Sequence, residues 1–95
     1  MQAAQLCSLA ANAVSQLAEG NKENQVAIAD AGAIQPLVAM LGSPSNELQA
    51  EAAGALAQLA HNNTDNQAAV ARTGAIAPLC ALVNPPHAQA TTTPP

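Results

Sequence analysis

A chain of 95 residues has room for one small domain or a piece of a larger one. About a quarter of it is alanine and it holds no Phe, Trp or Tyr, so it cannot fill a bulky core and suits helices packed closely through small side chains. A net charge of −4 with only two cations, Lys22 and Arg72, argues against nucleic acid, which needs several Lys or Arg contacts, and against a helix lying on an anionic membrane.

In chain order, the first apolar stripe is Leu6, Ala10, Ala13, Val14 and Leu17. Its spacing of i, i+4, i+7, i+8 and i+11 predicts a long helix over residues 3–18. A short helix is predicted over 23–31, ended by Gly32 in the left-handed conformation that suits glycine. A medium helix follows over 33–41, with Pro36 in its first turn, where a missing N–H costs little. Gly42-Ser43-Pro44 breaks the chain. A second long helix is predicted over 45–60, with the stripe Leu48, Ala52, Ala55, Leu56 and Leu59. Ser45 or Asn46 caps it, Glu47 suits the positive end of its dipole, and Asn62-Asn63 ends it. Short and medium helices recur over 65–73, capped by Thr64 or Asp65 and ended by Gly74, and over 75–83, with Pro78 in the first turn. Residues 85–95, rich in Pro and Thr, carry no periodicity and read as a disordered tail.

The order of elements repeats because the sequence does. Asn24-Gln25 returns as Asn66-Gln67, Gly32-Ala33-Ile34 as Gly74-Ala75-Ile76, Pro36-Leu37 as Pro78-Leu79, and Gln16-Leu17-Ala18 as Gln58-Leu59-Ala60, each 42 positions later. Between residues 5–41 and 47–83 about half the positions are identical without a gap. A period of this length and a helical pattern inside it indicate stacked helical units.

Asn-Gln followed by Ala-Gly-Ala-Ile-Gln-Pro-Leu-Val at 24–38, then Glu51-Ala52-Ala53-Gly54-Ala55-Leu56-Ala57-Gln58-Leu59-Ala60, resembles the armadillo repeat of catenins, importin-alpha karyopherins, vacuole-tethering armadillo proteins and plant U-box ubiquitin ligases. The Ala-Gly-Ala-Ile-x-Pro-Leu motif occurs twice, with Thr73 replacing the first Ala of the second copy. HEAT repeats lack the Gly-kinked short first helix. The resemblance covers residues 3–83 and implies an all-α, right-handed armadillo-type solenoid fragment. In the family's phase, residues 1–23 are the third helix of a partial repeat, 24–65 a complete repeat, and 66–84 the first two helices of a further partial repeat.

Chemistry is sparse. There is no Gly-x-Ser-x-Gly, no phosphate-binding glycine loop, and no Cys-x-x-Cys or His-x-x-x-His spacing. No enzyme, metal or cofactor is therefore expected. His61 reads as a solvated helix end, His87 falls in the tail, and Glu47 and Glu51 read as a solvated face rather than an acid–base pair. The Asn62-Asn63-Thr64 sequon is read as unused. Cys7 and Cys80 read as small buried hydrophobes in a reducing compartment. With no run of about 18 apolar residues and no signal-peptide pattern, an intracellular, cytoplasmic or nuclear protein without membrane insertion is expected.

The one surface with a functional reading is the polar face of the long helices. On the first it holds Gln5, Ser8, Asn12, Ser15, Gln16 and Glu19, and on the second Glu47, Ala50, Gly54, Ala57, Gln58 and His61. The resemblance implies that such third helices line a groove for an extended peptide or partner protein, with Ser8, Asn12, Gln16, Glu19, Gly54, Gln58 and His61 as its residues. The importin Trp positions match Asn12 and Gly54, and its Asn positions match Gln16 and Gln58, so the aromatic slots for Lys are missing. The Lys and Arg of catenin grooves are missing as well. Glu19, Glu47 and Glu51 favour a neutral or basic partner. A non-enzymatic interaction scaffold is the reading adopted. The alternatives are the substrate-recognition segment of a larger protein such as a U-box ligase, and a spacer that binds nothing.

Two repeats' worth of helix is fewer than the three or so that make a solenoid stable alone. Marginal stability as a monomer is expected, with end-to-end self-association or membership of a longer chain relieving it. Thermal unfolding followed by circular dichroism should therefore be broad and shift with concentration. A sharp melt above ~60 °C, independent of concentration, contradicts this.

Overall fold

The computed structural model describes residues 2–84. Among them are six helices and no strand: α1 Ala3–Ala18, α2 Lys22–Asp30, α3 Ile34–Met40, α4 Asn46–Ala60, α5 Thr64–Arg72 and α6 Ile76–Val83. The boundaries follow the apolar periodicity to within one or two residues. The tail at 85–95, with His87, lies outside the described residues.

The sharp turns have local causes. After α2, the Gly32 N–H donates to the Ala29 carbonyl at 3.0 Å and the Ala33 N–H to the Ile28 carbonyl at 3.3 Å. This double closure needs a left-handed residue, and Gly32 sits at φ 89°. Gly74 takes the same conformation at φ 82° after α5. Asn62 (φ 51°) follows α4 where Gly20 (φ 61°) follows α1, and asparagine is among the side chains that tolerate this region.

Ser45 caps α4 as expected, its Oγ accepting from the Leu48 N–H at 3.3 Å. The cap of α5 is neither Thr64 nor Asp65 but Asn63, whose Oδ1 accepts from the Asn66 N–H at 3.0 Å. The left-handed turn at Asn62 brings the chain into the helix one residue early, and asparagine caps better than threonine. Asn21 does the same for α2, accepting from the Asn24 N–H at 3.0 Å.

The long helices α1 and α4 lie side by side, α3 packs on α4, and α5 packs on the end of α4. The core joins Ile34 and Leu37 of α3 and its C-cap Leu41 to Ala52, Ala55, Leu56 and Leu59 of α4, with Ala11 and Ala18 of α1, Val70 and Ala75 completing it. Alanine on both sides of the α1–α4 contact lets the helices approach closely, which explains the composition.

The two copies of the apolar stripe meet different fates. Leu59 is fully buried, whereas Leu17, its counterpart on α1, is 56% exposed; Leu6, Ala10 and Ala13 are exposed too. The apolar stripe that predicts α1 is therefore largely uncovered. The stripe of α4 is covered by α3, and among the described residues no pair of short helices precedes α1 to do the same. Instead α1 turns Ala11 and Ala18, flanked by half-buried Ser8 and Ser15, towards α4. The reading of Cys7 and Cys80 as buried is corrected for the same reason: both are exposed, on the uncovered sides of α1 and α6.

A buried carboxamide junction fastens one unit to the next. Gln25, buried, donates from Nε2 to the Ala18 carbonyl at the end of α1, at 3.1 Å. Its Oε1 accepts from Asn63 Nδ2 at 3.1 Å, and its backbone carbonyl accepts from Asn66 Nδ2, also at 3.1 Å. Asn66 also donates to the Leu59 carbonyl at 2.9 Å, and Gln67 to the Ala60 carbonyl at 3.0 Å, as Asn24 does to the Leu17 carbonyl at 2.8 Å. The recurring Asn-Gln pair thus satisfies the last carbonyls of each long helix. Among the described residues, no buried side-chain polar atom lacks a partner.

The same truncation placed at equivalent positions separates the two stripes. Leu59→Ala should cost about 2–5 kcal/mol in urea unfolding, and Leu17→Ala less than about 1 kcal/mol. Equal losses would contradict the placement of α1.

Candidate functional site

The open face of the long helices is built from positions related by the 42-residue period. On α1, Asn12 and Gln16 are exposed one turn apart, and Gln16 Nε2 donates to Asn12 Oδ1 at 2.6 Å. Glu19 follows, exposed, at the C-cap. On α4 the matching positions are Gly54, exposed; Gln58, half-buried; and His61, exposed at the C-cap with Nε2 3.3 Å from Asn62 Nδ2. A side chain at Gly54 would meet nothing within 4 Å, so the middle of α4 is an open floor.

Ser8 stands apart from this set. It is half-buried and lines a cleft of about 420 Å³ between the first turns of α1 and α4, with Gln5, Leu9, Ser45 and Glu47. First turns meeting first turns mean that the two helices run in the same direction. The matched residues of the open face therefore form parallel rows. Three amides, a carboxylate and an imidazole can orient and bind a polar segment; no nucleophile–base pair is among them. Among the described residues no three His, Cys, Asp or Glu groups converge to hold a metal.

Two features escaped the sequence reading. One is the junction of Gln25, Asn63 and Asn66, whose signal was the unchanged return of Asn21, Asn24 and Gln25 one period later. The other is an apolar groove of about 260 Å³, where Cys7, Ala10 and Val14 of α1 face Pro36, Leu37 and Met40 of α3. Its signal was the apolar stripe of α1, which no other helix among the described residues fully covers.

The family model for the armadillo/β-catenin-like repeat matches residues 21–61, the span of α2, α3 and α4 with their flanking turns. Residues 21–61 thus form an armadillo-like repeat. Armadillo repeats are protein-interaction scaffolds and are typically not enzymes. The six helices form an armadillo-type solenoid fragment, all-α throughout the described residues. No curated protein and no solved structure matches the chain. Among the described residues no helix is long and apolar enough to cross a membrane.

Proposed function

We propose that the chain is a non-enzymatic scaffold that holds an extended peptide, or an extended segment of a partner protein, along the open face of α1 and α4. Asn12, Gln16 and Glu19 make the contact on one row and Gly54, Gln58 and His61 on the other, with Ser8 at the edge. The observation that carries this reading is the Asn12–Gln16 bond. It uses one acceptor and one donor and leaves Asn12 Nδ2 as a donor and Gln16 Oε1 as an acceptor on two exposed residues. A donor and an acceptor match the C=O and N–H of a peptide backbone. The small floor at Gly54 lets a backbone approach closely. Glu19, Glu47 and Glu51, with no cation on either long helix, favour a neutral or basic occupant.

Such a segment also suits substrate recognition in a longer armadillo protein, a U-box ligase among them, where the same face would meet the substrate. The spacer reading differs in outcome. In fluorescence anisotropy with extended peptides of neutral, Lys-containing and Asp-containing composition, neutral and basic peptides should bind more tightly than acidic ones. The combined Asn12→Ala and Gln16→Ala variant should weaken that binding by about tenfold. Binding indifferent to the variant, or no binding by any peptide, favours the spacer.

A further inference from the structure

We propose that the chain assembles head to tail with copies of itself, α5 and α6 of one copy packing with α1 of the next as α2 and α3 pack with α4 within the chain. The proposal does not depend on what occupies the open face.

The template lies inside the chain. α2, α3 and α4 form one packed unit, with α3 seated on the stripe of α4. α5 and α6 are copies of α2 and α3 displaced by 42 residues, and α1 is a copy of α4 displaced the other way. The two ends therefore present the two halves of an interface that the middle already makes. In α3 and its C-cap, Ile34 is 6% and Leu41 3% exposed; in α6 their counterparts Ile76 and Val83 are 61% and 85% exposed. On α1, Leu6 and Leu17 are exposed where Leu48 and Leu59 of α4 are half-buried and buried. Neither α1 nor α6 carries a charged residue, so covering both strands no charge.

The groove between α1 and α3 identifies the occupant. Shifted by 42 residues, its lining Ala10, Val14, Leu37 and Met40 becomes Ala52, Leu56, Leu79 and Leu82, all buried or half-buried. Ala52 and Leu56 belong to the face of α4 that α3 covers. The segment that fits the groove at α1 is thus a copy of α3, and α6 is that copy. The third-helix stack continues as well. Ser8, Ala11, Ser15 and Ala18 of α1 meet α4, and their counterparts on α4 are four alanines at 50, 53, 57 and 60, exposed or half-buried and small enough for the next α1.

Polar groups fix the register. Gln25 accepts from Asn63 and Asn66 of the following unit. Gln67 stands at the same place one unit later, and among the described residues no side chain donates to its Oε1 or to its backbone carbonyl. Asn21 and Asn24 of an incoming copy occupy the positions of Asn63 and Asn66. They would supply the two missing bonds in one alignment only. A contact between two different surfaces of the same molecule does not close on itself in a pair, so growth continues beyond the dimer.

Light scattering coupled to size-exclusion chromatography over a wide concentration range tests this. The weight-average mass should rise above the 9.4 kDa monomer without settling at the dimer. Leu17→Glu blocks the head and Ile76→Glu the tail, and both sites are exposed, so each variant should keep the far-ultraviolet spectrum of the parent chain. Each alone should remain monomeric at concentrations at least about tenfold above those at which the parent assembles. Mixed in equal amounts, the two should form a discrete heterodimer through the intact tail of the first and the intact head of the second. A parent chain monomeric at every concentration overturns the proposal and leaves the faces to helices of another chain. Self-paired dimers of either variant overturn it in favour of a two-fold contact.

Discussion

A helix that stops inside a stack of helices leaves its last carbonyls pointing at protein instead of water, and something must donate to them. In this chain the donors are the side-chain amides of the Asn-Gln pair that opens the next unit. Asn24 and Gln25 serve the end of α1, and Asn66 and Gln67 the end of α4. Because Gln25 also accepts from Asn63 and Asn66, the bonds that finish one helix also tie unit to unit. Apolar contact alone would allow a shallow, alanine-lined interface to slide. A buried amide left unpaired costs about 1–3 kcal/mol, so these bonds select one alignment.

Everything apolar follows from that alignment. Without aromatic side chains the core depends on how many small contacts overlap, and overlap requires a neighbour on each side. α4 has both neighbours and hides its stripe. α1 has one and exposes an almost identical stripe, and α6 exposes the mirror part of the arrangement. The contrast isolates context from sequence: Leu17 and Leu59 sit in the same Gln-Leu-Ala triplet, yet one faces solvent and the other the interior.

The helices and turns were legible because their causes are local. The spacing of Leu48, Ala52, Ala55 and Leu59, the glycines at 32 and 74, and the prolines at 36 and 78 each act within a few residues. What the sequence did not yield depends on partners far along the chain. Asn63 looks in sequence like the end of one helix, whereas it caps the next and bonds to Gln25, 38 residues away. Cys7 and Cys80 occupy apolar helical positions, and whether such positions are buried depends on helices that the pattern itself does not reveal. The candidate face was half legible: the wheel placed Asn12, Gln16 and His61 at the surface, but it put Ser8 on the open face, where packing of α4 draws it into a cleft.

For an interaction scaffold this division of labour is useful. Side chains that bury amides and alanines set the pitch between units, and residues on the open rows can vary without disturbing it. The most direct measurement of the central claim is a double-mutant cycle across the junction, read by urea unfolding. It would combine Gln25→Ala with Asn63→Ser, the serine hydroxyl keeping the α5 cap while removing the donated amide. The buried bond predicts a coupling of about 1 kcal/mol or more between the two changes. Losses that add to within about 0.3 kcal/mol would mean that the amides do not hold the units together.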